Sequence, residues 1–267
     1  MKAELVDTLP HFYHQQPDIQ INTSHLIALH DEVMYRLIHT YNAIDPILES
    51  LQPEQGLNIA AYTFFAEEWL RKHIKHLHSF DLLFDMVDNH GRNTIESFEE
   101  NNVSISTMNV MNLAFEDNTF DVATYIELAG TSKSTDYDFV IKSLEEVHRV
   151  LKPGGSLFIN FKNVSGEQKL KEHPQYNQIA SEIKEGFPNF RGVPISRDKF
   201  LTATDSTFEE VETLGHGFIT PQKLPFVYTV ENESIQWDPK AIRAKTYKSI
   251  DFEHEYPLYW TIHLAKR

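Results

Sequence analysis

Between Leu113 and Phe161 the apolar and polar positions spell out three elements in succession. A polar turn, Glu116-Asp117-Asn118-Thr119, leads into an apolar run from Phe120 to Leu128. Val140, Leu144, Val147 and Leu151 then recur at helical spacing, with Lys142, Glu145, Glu146 and Arg149 on the other side. Pro153 cannot continue that helix, and Gly154 and Gly155 accept the positive-φ conformations of a tight stop. A second apolar run, Ser156 to Phe161, follows at once. Two strands joined by such a crossover helix are parallel neighbours, so the segment predicts a βαβ unit of an α/β sheet.

The same pattern extends to both sides. Residues 1 to 22, with Pro10 and Pro17, predict an irregular arm. Thr23 or Ser24 caps a helix whose face is Leu26, His30, Val33, Leu37 and Tyr41, and a second short helix covers Pro46 to Leu51. From Gly56 the α/β core is expected to begin. Leu57 to Thr63 is the first strand, Phe65 to Leu77 a helix with Trp69, Leu70, His73 and Leu77 inward, and Phe80 to Val87 the second strand. A helix from Asn93 to Asn102 precedes a third strand at Val103 to Met108. These runs are short and bounded by polar residues, as buried parallel strands require. After Phe161 the pattern predicts a helix between Gln175 and Glu185, a loop from Gly186 to Pro194, a sixth strand at Phe208 to Leu214 and a last one at Leu258 to Ala265. The connection 215–257, with Pro221, Pro225 and Pro239, is long enough to carry structure or shape a pocket.

The stretch Leu-Ala-Phe-Glu-Asp-Asn-Thr-Phe-Asp-Val, followed by Glu-Glu-Val-His-Arg-Val-Leu-Lys-Pro-Gly-Gly, resembles the class I S-adenosylmethionine (SAM) dependent methyltransferases of the small-molecule type. The resemblance implies a Rossmann-like sheet of seven mostly parallel strands with helices on both faces, preceded by an N-terminal helical segment. On that basis residues 1–55 form an arm and helical cap, and residues 56–267 the methyltransferase-like core. In the family, helices ahead of the first strand close over the active site; packing on the sheet edge is the other reading for this segment.

Composition narrows the function. The 267 residues bury one sizeable core, with 41% hydrophobic and 24% charged residues. A net charge of -15 argues against a nucleic-acid or anionic-membrane partner, leaving a small-molecule substrate or a protein partner. The absence of cysteine excludes disulfides and thiolate chemistry and is compatible with a cytoplasmic protein. No run approaches membrane-spanning length, and the N-terminus lacks the apolar core of a signal peptide.

The resemblance also says where a cofactor would lie. In the family the first strand reads Leu, an acid, an apolar residue and then Gly-x-Gly-x-Gly, because backbone must come close to the ligand. Here Asn58 stands at the acid, and Ala60, Tyr62 and Phe64 stand at the three glycines, so two large rings occupy the approach of the cofactor. The ribose-binding acid at the end of the second strand falls on Asp88, or on Asp85 if that strand ends earlier. The adenine contact falls on Asn109, with Val110 beside it, and an amide carbonyl accepts the same hydrogen bond as a carboxylate. Glu127, past the fourth strand, is placed as a general base or as a carboxylate facing a cationic ligand.

Fourteen histidines raise metal binding, with His73, His76 and His78 close together, but two at that spacing without a third patterned ligand do not make a site, and no metal is expected. His14, Tyr13 and His216 are candidates for a proton shuttle on a lid or loop. Three functions follow: a SAM-dependent methyltransferase with an altered cofactor site; an inactive pseudo-methyltransferase serving as a partner or regulatory subunit; or the same fold reused for a SAM-independent reaction with Glu127 or a histidine as acid or base.

Overall fold

The computed structural model describes residues 40, 41, 43–59, 65–81, 102–126, 137–165, 168, 195–216 and 259–267. Its strands are β1 (Gln55–Ile59), β2 (His76–Asp81), β3 (Val103–Thr107), β4 (Phe120–Tyr125), β5 (Leu151–Lys162), β6 (Phe208–His216) and β7 (Tyr259–Lys266). They form one seven-stranded sheet in the order β3-β2-β1-β4-β5-β7-β6. The first five are parallel, and β7 runs antiparallel to both β5 and β6. The expected Rossmann-like α/β class and strand count are those found. Helix α1 is described at residues 40, 41 and 43–51, α2 at Phe65–Leu70, α3 at Tyr137–Val150 and α4 at Arg197–Thr204.

Strand alternation divides the core between the two faces of the sheet. Leu57, Ile59, Phe80, Ala123, Tyr125, Leu157 and Ile159 pack with Val140, Leu144, Val147 and Val150 of α3 and with Phe200 of α4. On the other face Leu77, Val103, Val122 and Phe158 meet Ile44 and Leu48 of α1, Leu70 of α2, and Ile74. A Cβ on Gly56 would lie 2.7 Å from Ile74 Cγ2, so β1 has no room for a side chain there. The described part of the N-terminal segment thus packs on a sheet face. Asn160 Nδ2 donates to Thr40 Oγ1 at 3.0 Å, and both residues are buried. Thr40 of α1 therefore lies beside the carboxyl half of β5.

The β4–α3–β5 unit has the order its sequence predicts, and its signature residues are the ones that lock it. Arg149 Nη1 donates to the Phe115 carbonyl and to Asp117 Oδ1, and Nη2 to the Leu113 carbonyl and Glu146 Oε2, each at 2.8 or 2.9 Å. Glu146 Oε2 also accepts from the Leu113 N–H. The Leu-Ala-Phe-Glu-Asp turn is thereby stitched to α3. Hydrogen bonds from Arg149 hold the Glu146 carboxyl below its ordinary range, against the opposing effect of partial burial.

Leu151, expected at the end of the helix, is already strand: it pairs with Phe120, and pairing resumes only where Ser156 meets Val122. Lys152 to Gly155 bulge out between these pairs. Gly154 has φ +74, and a Cβ on Gly155 would lie 2.8 Å from the Lys152 carbonyl oxygen. Lys152 Nζ donates to Asp121 Oδ1 at 2.6 Å, tying the bulge back to β4.

The first half of the sheet departs from the sequence expectation. The helix expected over Phe65 to Leu77 ends at Leu70, and Leu77 lies in β2, which is described over His76–Asp81 and so begins before the expected Phe80, while 82–87 lie outside the described residues. The turn at 71–73 brings the chain straight back, with His73 N and Ile74 N both donating to the Leu70 carbonyl at 3.0 Å. Helix α4, capped by Ser196 whose side chain accepts from Lys199 N, has no counterpart in the sequence expectation. The helices expected near 24–37, 93–101 and 175–185, the loop at 186–194 and most of the 215–257 connection lie outside the described residues.

Candidate functional site

In open α/β sheets ligands bind beyond the carboxyl ends of the strands, where the strand order reverses. Here the order reverses between β1 and β4. Three chain segments approach that point: the ends of β2, β1 and β4.

At the end of β1, Asn58 is 2% exposed. Its Nδ2 donates to Glu67 Oε1 at 3.0 Å, and its Oδ1 accepts from Thr124 Oγ1 at 2.9 Å. The residue expected at the family's acid position is thus the centre of a buried polar chain joining β1, β4 and α2. Glu67 was not singled out from the sequence.

At the end of β2 stands Asp81, also not anticipated, because β2 was expected to reach Val87. It is the last residue of the strand and 6% exposed. Its position fits the rule that a ribose-binding acid follows the first strand's turn by about 20 residues, and that spacing is the signal that finds it in the sequence. Asp88 and Asp85, expected in this role, lie outside the described residues. Burial pushes the Tyr125 hydroxyl at the end of β4 up to about 12; Ser143 hydrogen bonding opposes this and the Asp81 charge adds to it. The ends of β2 and β4 are thus within electrostatic reach of each other across β1.

After β3, Asn109 is exposed and Val110 is buried at 9% exposure. Asn109 Oδ1 accepts from Met111 N at 3.0 Å, closing a turn, and its second lone pair remains an acceptor. Ile126, the last described residue after β4, is buried. Glu127, His14, Tyr13, Ala60, Tyr62 and Phe64 lie outside the described residues. His216 is the last residue of β6, at the edge of the sheet away from the switch point, and only its backbone is described.

The three clustered histidines serve separate neighbours. His73 Nε2 lies 2.6 Å from Asp45 Oδ1, joining α1 to the turn after α2. His76 is exposed on β2, and His78 contacts Ser106 Oγ at 3.0 Å with its ring edge-on to Phe115. Burial lowers the His78 pKa.

Residues 57–159 match a family model described as a methyltransferase domain. That match spans 103 of the 267 residues. Solved structures share its architecture at low sequence identity. A SAM-dependent methyltransferase of Thermotoga maritima, described as a possible histamine N-methyltransferase, is 18% identical with a TM-score of 0.52, covering 90% of this chain and 96% of that chain. A protein from Pyrococcus horikoshii is 15% identical with a TM-score of 0.52, covering 84% and 88%. A SAM-dependent methyltransferase of Methanosarcina mazei is 17% identical with a TM-score of 0.50, covering 80% and 93%. No curated protein matches the sequence significantly. The matched segment runs from β1 to β5 and so includes both the β4–α3–β5 unit and the ends of β1, β2 and β4 described above. No helix among the described residues is long and apolar enough to cross a membrane.

Proposed function

We propose that the chain binds SAM at the carboxyl ends of β1, β2 and β4 and transfers its methyl group to a small molecule, through a cofactor site altered at the β1–α2 turn. The observation that carries this reading is the buried acid Asp81 at the end of β2, beside the switch point and next to the enclosed Asn58–Glu67–Thr124 chain. An acid kept almost free of water at that position matches the chemistry of a ribose diol, which donates two hydrogen bonds to one carboxylate. Asn109 and Val110, beyond β3, border the adenine: the Asn109 carbonyl oxygen accepts from the exocyclic amino group, and Val110 gives an apolar wall.

Bound SAM supplies an electrophilic methyl group. The protein's part is to align the acceptor, exclude water and, for an acceptor that must lose a proton, provide a base. Glu127, next after the buried Ile126, has that role or faces a cationic substrate, and His14 serves as a proton shuttle, while His216 sits at the sheet edge away from the site. The charge of -15 favours a small acceptor over a nucleic acid. Cysteine-free composition suits a cytoplasmic setting.

Titration of the purified protein with SAM and S-adenosylhomocysteine, by calorimetry and thermal shift, tests the reading. Saturable binding with a rising Tm is expected, since a ligand of the native state must stabilise it. No shift at millimolar ligand overturns it. Tyr62 and Phe64 at the glycine positions favour a second reading, in which the pocket is plugged and the protein acts as a partner or regulatory subunit. Its mark is SAM binding that appears only in the Tyr62→Gly, Phe64→Gly double variant. Reuse of the fold without SAM is the third reading, and neither titration would then respond.

A further inference from the structure

With the ribose at the end of β2 and the adenine after β3, the cofactor covers one half of the carboxyl edge of the sheet. The methyl acceptor is left the other half, beyond β4, β5 and β7, and the inference below rests on that reading. Trp260 on β7 stands at this edge, paired with Phe161, the last residue but one of β5, and with Gly215 on β6. It is 7% exposed and packs in the same layer as Phe161, Phe200 and Ile262. Gly215 sets no side chain beside it. Its indole Nε1 is buried and makes no hydrogen bond among the described residues. Indole N–H is a donor only, and one that is enclosed and unanswered is unfavourable unless a bound group answers it. Arg197, the first residue of α4, reaches over the same ring with Cζ 6.0 Å from the centroid. Its guanidinium is already paired with Glu210 and Asp198, and its Nε donates to Thr213 Oγ1 at 3.3 Å.

We propose that the Trp260 indole N–H selects the methyl acceptor, and that the acceptor is a small molecule with an apolar body and a carbonyl or carboxylate oxygen at the end remote from the methyl. The sheet gives the scale. Strands β4 and β7 flank β5, so the indole stands about 10 Å across the sheet from the line of β4. A molecule of one ring with a short side chain spans that gap, one end at the transferred methyl and the other at Trp260. The remote group must accept, because the indole can only donate. An ammonium offers donors alone and would also face the Arg197 guanidinium. A buried donor discriminates strongly, since an analogue without the oxygen leaves the N–H unpaired. Trp260 is thus a specificity residue and takes no part in the transfer itself. As mere packing, the ring would be indifferent to the ligand's end group.

The test follows the indole N–H signals of the full chain by NMR, with the protein saturated with S-adenosylhomocysteine, during titration with three probes that share one ring: phenylacetamide, phenylacetate and phenethylamine. The chain has three tryptophans, and the Trp260 signal is the one missing from Trp260→Phe. Should that variant not fold, Trp69→Phe and Trp237→Phe identify it by elimination. Phenylacetamide, phenylacetate or both are expected to move the Trp260 signal downfield along a saturable curve, while phenethylamine leaves it in place. Response to the amide alone assigns a neutral carbonyl, and response to the acid alone a carboxylate. Trp260→Phe is expected to weaken the responding probe about tenfold, the worth of one hydrogen bond, and to leave S-adenosylhomocysteine within about twofold.

A Trp260 signal that ignores both oxygen-bearing probes, or that answers the amine equally, overturns the inference while leaving cofactor binding in place. So does a folded Trp260→Phe variant that holds the responding probe as tightly as the wild type. Wild-type protein that gives no heat with S-adenosylhomocysteine overturns the functional reading instead, and the same titration of the free protein then decides the indole site by itself.

Discussion

The β4–α3–β5 unit and the β1–α2–β2 unit are neighbours in one sheet, yet they are built on opposite terms. In the former, the polar residues tie one element to the next at the domain's margins: Arg149 and Glu146 to the 113–117 turn, and Lys152 to Asp121. Apolar side chains fill most of the space between, with Thr124, Ser143, Ser156 and Asn160 as the buried polar residues. In the latter, polar residues stand inside the layer at the strand ends and in α2, with Asn58, Ser79 and Glu67 enclosed, Asn58 bonded to Thr124 of β4, and Asp81 nearly enclosed. Buried polarity costs stability, and on the proposed SAM-binding reading its place at the switch point is where a ligand uses it. The first region is scaffold.

That contrast can be broken by mutation, beginning with the largest expected effect. Phe158 is fully buried on the α1 and α2 face and stacks on His263 with centroids 4.5 Å apart. Phe158→Ala is expected to cost about 3–5 kcal/mol in chemical denaturation. A loss below about 1 kcal/mol would mean that the β5–β7 centre is not the scaffold described.

Arg149→Met comes next. It removes the donors to the Leu113 and Phe115 carbonyls and leaves Glu146 without its cation, and a loss of about 2–3 kcal/mol is expected. Because that region is scaffold, the variant should bind SAM with unchanged affinity at temperatures where it remains folded. Affinity falling with full folding retained would blur the two regions into one.

Acid sharpens the comparison with a smaller effect. Burial lowers the His263 pKa to about 4, and its Nε2 lies 2.9 Å from Ser156 Oγ. A histidine whose folded pKa lies below its unfolded value adds stability that is present above the unfolded value near 6.5 and is lost as pH falls toward 4. Glu146 behaves alike in a lower window, its stabilisation lost as pH drops below the ordinary carboxylate range near 4.5. Urea midpoints measured from pH 7 to pH 4 should therefore decline. His263→Gln should flatten the upper part of the slope, and an unchanged slope would remove His263 from the account.

The two regions also differed in how much of them the sequence shows. Val140, Leu144 and Val147 keep helical period against one sheet face, and the Lys-Pro-Gly-Gly bulge needs glycine at Gly154 and Gly155, so the scaffold half is legible in pattern alone. In the other half β2 carries His76 and His78 at its outer positions, which hides its alternation, and α2 is short enough to merge with it by eye. The misplaced strand end then concealed Asp81. Glu67 reads as an ordinary helix-surface acid until its burial is seen, since one turn of helix offers too few positions to fix a face. Asn58, chosen for its place in the resembling motif, is the residue around which the buried polar row is assembled.

The central claim is that the polar end of β1–α2–β2 is a cofactor site without its usual glycines, and the most direct measurement is calorimetric titration of wild-type and Asp81→Asn proteins with S-adenosylhomocysteine. The account predicts saturable one-to-one binding by the wild type, and an affinity about tenfold lower for Asp81→Asn at a temperature where both proteins are folded. Identical affinities for the two proteins, or no heat from either at millimolar ligand, would contradict it.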